Sequence, residues 1–100
     1  MKNCYENIPS NQIEKQKRYF YGAILDVLYK FEDGYPYLDN RIQNLINQVQ
    51  GSNDLFGNQP QVLTIVALLQ TAKDDRRELR RCILNAINLV DTLEGGDSDV

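Results

Sequence analysis

The chain is expected to be all-α: a small bundle of three helices with a long C-terminal one, or of four if that segment breaks near residues 73–75. Three observations predict this. Apolar residues recur at steps of three and four in three separate stretches, the period of a helix with one buried face. The prolines and glycines, Gly22 excepted, fall outside those stretches, where a helix would start or stop. A hydrophobic fraction of 42% with 25% charged residues over 100 positions is enough for one modest core and too apolar for a disordered chain.

Residues 1–9 read as an N-terminal arm. Pro9 and Ser10 suggest a helix start, because a serine side chain can accept from the orphan amides of a first turn. Phe20, Ile24, Val27 and Phe31 then step by four, three and four, widened by Tyr21, Leu25 and Leu28. Gly22 inside this helix costs roughly 1 kcal/mol relative to alanine, which points to another helix packed close against it. Gly34 is the expected C-terminal cap.

Tyr35-Pro36-Tyr37 forms a tight connection, and a second helix runs from about Pro36 to Gln50 on the stripe Leu38, Ile42, Leu45 and Val49. Residues 51–60 are a loop by composition. Leu55 and Phe56 within it are expected to plug one end of the core, with an exposed partner-binding knob as the sharper alternative.

From Val62 to Leu93 the positions 62, 65, 69, 72, 76, 79, 83, 86, 90 and 93 keep one helical phase, and all but Arg76 are apolar. The interval 73–81 holds neither glycine nor proline, so one helix from about Gln61 to Glu94 is favoured, about 50 Å long at 1.5 Å per residue. The first two helices are too short to cover it if they pair with each other. Leu79, Ile83, Ala86, Val90 and Leu93 are then expected to form an apolar heptad seam for a second chain or a partner helix.

Charge and cysteine content narrow the functional classes. The net charge of −3 matches the acids Glu94, Asp97 and Asp99, in a stretch without bases whose end, 95–100, reads as a flexible acidic tail. There is no protein-wide basic field for nucleic acid. Histidine is absent, which removes imidazole acid–base chemistry and the common zinc and di-metal sites. Asp74, Asp75 and Glu78 lack the turn of alternating oxygen ligands that a calcium loop needs. No enzyme activity, cofactor or metal is expected. Cys4 and Cys82 read as reduced thiols, the latter packed on an apolar face. No run of about 18 apolar residues and no apolar leader is present, so a cytoplasmic protein without a membrane span is expected.

The binding candidates are surfaces. Arg76, Arg77, Arg80 and Arg81 form two ridges at i,i+4 spacing, suited to phosphate or carboxylate unless Lys73, Asp74, Asp75 and Glu78 simply balance them. Lys15, Lys17 and Arg18 precede three aromatic residues. Six tyrosines include Tyr35 and Tyr37, a residue type favoured at interfaces for its apolar body and polar tip. The functional expectation is a non-catalytic protein-interaction or assembly module, self-associating or binding a partner through the heptad face, with Leu79, Ile83, the four arginines, Tyr35 and Tyr37 as contact residues. The alternative is a nucleic-acid-associated accessory protein using the arginine ridge, which salt dependence would distinguish.

Overall fold

The computed structural model describes residues 3–57 and 59–93, with side chains over 12–52, 55–57 and 59–93. Its elements are α1 (Asn3–Glu32), α2 (Leu38–Gln50), the single turn α3 (Asn53–Phe56), α4 (Pro60–Asp74) and α5 (Leu79–Asp91), with a 3₁₀ turn over Arg76–Glu78 before α5. No strand occurs among the described residues. The chain is an all-α bundle whose four main helices form a square. α1 borders α2 and α5, and α4 closes the other corner against both.

Side-chain contacts give the directions. Asp26 meets Arg41, Gln43 meets Lys73, and Gln61 reaches the Thr92 carbonyl at 3.3 Å. Lys17 Nζ donates to the Asp91 carbonyl at 3.3 Å, while Glu32 meets Arg80. Each bordering pair is therefore antiparallel, giving the up-down-up-down order that short connections favour.

α1 ends as its sequence suggests. Gly34 takes φ +75°, its N–H donates to the Phe31 carbonyl at 3.1 Å, and the Tyr35 N–H donates to the Lys30 carbonyl at 2.9 Å. This is a Schellman cap, and its left-handed residue is why a glycine stands there. The start of α1 differs from expectation. The helix begins at Asn3, before Pro9, so residues 3–9 are helical and not an irregular arm. Pro9 removes one backbone hydrogen bond, and no glycine precedes Gly22 to add a second break. The acidic tail 95–100 lies outside the described residues.

The favoured single helix over 61–94 is not formed, and the chain reverses at Asp75. The Asp75 N–H completes α4 on the Thr71 carbonyl at 2.8 Å. Its backbone then turns extended (φ −137°, ψ 102°), and its carboxylate accepts the Arg77 N–H at 3.0 Å. An aspartate N-cap supplies the turn without glycine or proline. Arg76 Nη1 folds back to donate to the carbonyls of Lys73 at 2.8 Å and Ala72 at 3.3 Å, satisfying open groups at the end of α4. The apolar phase survives because Ala72 and Leu79, on either side of the reversal, are both fully buried.

The core is continuous. Phe20, Ile24 and Val27 of α1 meet Ile42, Leu45, Ile46 and Val49 of α2, Val62, Ile65 and Leu69 of α4, and the inner face of α5. Phe56 is fully buried and lies 6.2 Å from the Phe20 ring centre to centre, so the loop residue plugs the core end. α4 takes one corner of the square, and Leu63 on its outer side stays 67% exposed.

Candidate partner-binding surface

The reversal at Asp75 gathers all four arginines at the end of the bundle that carries both interhelical turns. Each finds a carboxylate. Arg76 pairs with Asp39 of α2, and Arg80 Nη2 with Glu32 of α1 at 2.8 Å. Arg77 pairs with Asp75 at 3.2 Å, and Arg81 with Glu78 at 2.6 Å. The Arg77 side-chain hydrogen bond holds the Asp75 carboxyl below its ordinary pKa, and the same bond raises that of the guanidinium. Glu78 raises the pKa of Arg81 likewise, through a side-chain hydrogen bond. The ridge is thus four ion pairs, two of them clasps between helices. Arg77, with a side chain 90% exposed, is the one that stands furthest into solvent.

Leu79 and Ile83 do not belong to a partner-binding surface. Both are fully buried, as are Ala86 and, nearly so, Val90 and Leu93. The reversal turns the expected intermolecular seam inward, where α1 and α4 cover it. Cys82 lies on the same face as a buried free thiol. Burial pushes its pKa up, more than the Arg81 guanidinium pulls it down, which favours the neutral thiol.

The polar–aromatic surface lies on the opposite hairpin. Tyr19, Tyr21 and Tyr29 on α1 are all exposed, and so are Tyr35 and Tyr37 in the turn after it. Tyr35 and Tyr37 stand edge to face with ring centres 5.9 Å apart, and Lys30 Nζ sits 5.5 Å above the Tyr35 ring. The turn therefore presents a prepacked aromatic pair, Tyr37 being 63% exposed. Tyr21, which the apolar stripe takes in at its edge, faces solvent, because α5 covers α1 on a narrower strip than the pattern implies.

Lys15 and Arg18, on the same helix, have no ion partner among the described residues, and Lys17 has only the Asp91 carbonyl. A recess of about 630 Å³ opens between α1 and the end of α2, lined by Gln16, Tyr19, Gln48, Gly51, Ser52 and Leu55. It adjoins a smaller cleft of about 140 Å³ along Tyr19, Ala23, Arg41 and Asn44. Among the described residues no group of three or more acidic or thiol side chains is arranged to hold a metal ion. Nor is any helix among them long and apolar enough to cross a membrane.

The chain matches no known family's sequence pattern, no curated protein and no solved structure.

Proposed function

We propose that this chain is a non-catalytic helical module of the cytoplasm that works by binding another protein. The contact surface is the tyrosine-bearing side, α1 together with the α1–α2 turn. The observation that carries the reading is the concentration of exposed rings on α1 and the turn after it: Tyr29 faces outward, Tyr19 and Tyr21 lie on the two flanks of the helix, and Tyr35 and Tyr37 stand in the turn. Tyrosine offers apolar area at a low ordering cost and keeps a polar tip, which suits a surface that must stay soluble alone and bury itself on contact. Lys15 and Arg18 on the same helix have no carboxylate partner among the described residues, which leaves them to set register against an acidic partner. Arg76 and Arg80 serve to close the bundle, and Arg77 and Arg81 are taken up by their neighbours Asp75 and Glu78.

Photocrosslinking in the cell of origin tests this. A benzophenone amino acid replaces Tyr29, Tyr37 or Arg77 in turn. The expected result is a protein adduct from positions 29 and 37, degraded by protease and resistant to nuclease, with none from position 77. A nuclease-sensitive adduct, or adducts from position 77 alone, would transfer the function to nucleic acid or to the arginine ridge and overturn the reading.

A further inference from the structure

Gly22 is the residue of α1 that the fold of a single chain does not explain. It sits mid-helix, does not take a positive φ, and is exposed. A methyl group added there would meet nothing within 4 Å. A glycine in a helix interior costs about 1 kcal/mol relative to alanine, and here none of the described residues approaches close enough to use the missing side chain.

At 100° per residue, the outward strip of α1 through Gly22 carries Lys15 and Arg18 before it and Tyr29 and Asp33 after it. Tyr29 is 57% exposed. Lys15, Arg18 and Asp33 have no ion partner among the described residues. Glu14 and Glu32 flank the strip, the latter held by Arg80, and the Asp26 carboxylate at its other edge is shared by Arg41 and Lys30. The strip is therefore basic on one side of the glycine and aromatic and acidic on the other.

We infer that two copies of this chain pair antiparallel across this strip, with the two-fold axis near Gly22. The inference rests on the interaction reading above and supplies its partner. The two backbones approach most closely at the glycines. Lys15 of each copy then stands beside Asp26, Tyr29 and Asp33 of the other, and Arg18 beside Tyr29. A parallel pair would set Lys15 against Lys15 and Arg18 against Arg18, so the charge order selects the antiparallel arrangement.

The length of α1 fits the same geometry. Its 30 residues far exceed the 13 to 15 of α2, α4 and α5, and the molecule is 49 Å long but only 23 Å and 19 Å across. Lys17 is level with Asp91, the last residue of α5, so the first turns of α1 overhang the bundle. In the antiparallel pair each overhang runs past the partner's α1–α2 turn, where Tyr35 and Tyr37 are exposed.

Sedimentation equilibrium on the purified 100-residue chain, from about 10 µM to about 1 mM, tests this at the affinities expected of a small interface. The wild type is expected to move from monomer to dimer over that range. Gly22→Leu is expected to stay monomeric with an unchanged helical spectrum, since the fold has room for the side chain. Lys15→Asp should weaken the dimer about fivefold, the scale of exposed ion pairs counted twice by symmetry. Adding Asp33→Lys to Lys15→Asp should restore it, because each copy then carries the swapped pair.

A wild type monomeric at the highest concentration would overturn the pairing. So would a dimer indifferent to both Gly22→Leu and the charge swap. Either result leaves the broader reading standing if Tyr29 still crosslinks to a different protein, so the two failures are separable.

Discussion

The two cationic regions of this molecule differ in what stands opposite them. At the α4–α5 turn, Arg76 and Arg80 face Asp39 and Glu32, 37 and 48 residues away in the chain, and Arg77 and Arg81 face the neighbouring Asp75 and Glu78. On α1, Lys15 and Arg18 face no carboxylate among the described residues. The denser cluster is thus neutralised, and the sparser one, set among exposed tyrosines, is available. Local charge density says little about availability, because the partners that cancel a charge come from distant parts of the chain. The same contrast holds for apolar groups. The unbroken stripe of α5 is consumed inside the monomer, while the scattered tyrosines of α1 remain outside.

The largest expected effect tests the inner face of α5 against the outer face of α4. Ile83→Asp places a carboxylate where the side chain has no solvent access, and its expected cost exceeds about 4 kcal/mol, enough to abolish a cooperative thermal transition followed by circular dichroism. Leu63→Asp, at a residue 67% exposed on α4, should melt within about 0.5 kcal/mol of the parent. Comparable losses from the two would mean that α4 is buried on its outer side by a second chain.

Much of this bundle was legible in the stripes. The core positions of α2, α4 and α5 follow from steps of three and four, Gly34 announces its cap, and an apolar residue in a polar loop, Phe56, proves to be a plug. The reversal at Asp75 was less visible because an aspartate cap uses no glycine or proline, and because seven residues from Ala72 to Leu79 preserve the helical phase through the turn. That one ambiguity displaced the expected contact surface. With a straight helix, Leu79 and Ile83 need a partner, whereas with a reversal they are core. Tyr35 and Tyr37 stay exposed in either case, since a tight turn at a bundle end has nothing above it.

A middle-sized effect addresses the cationic clusters themselves. Reversing Arg76 and Arg80 to glutamate sets like charges against Asp39 and Glu32 and removes the side-chain donor from the Ala72 and Lys73 carbonyls. Two partly exposed clasps and one helix end amount to about 1–3 kcal/mol of folding stability, read as a lower urea midpoint with an unchanged slope. Reversing Lys15 and Arg18 breaks no ion pair among the described residues. Its midpoint, measured at a concentration where the chain is monomeric, should stay within about 0.5 kcal/mol of the parent. If the α1 pair proved the more costly to reverse, the assignment of closing and contacting roles would be the wrong way round.

The smallest effect belongs to the turn that decides the architecture. The Asp75 carboxylate is in water, yet its hydrogen bonds from the Arg77 side chain and N–H place its folded pKa below the ordinary 3.8. A carboxyl with a depressed folded pKa stabilises the fold at pH values above its unfolded pKa, and that contribution fades as pH falls through the folded value. Asp75→Asn keeps an oxygen to accept the Arg77 N–H but carries no charge. Its deficit should therefore be present at pH 7 and close in acid well below pH 3.8. Asp75→Ala loses the acceptor as well, so a deficit should persist at both pH values. Urea midpoints of the three proteins at neutral and acid pH separate the charge from the cap. A gap between aspartate and asparagine that ignores pH would show that the ion pair with Arg77 contributes nothing, and that the reversal depends on the cap and on the burial of Ala72 and Leu79 behind it.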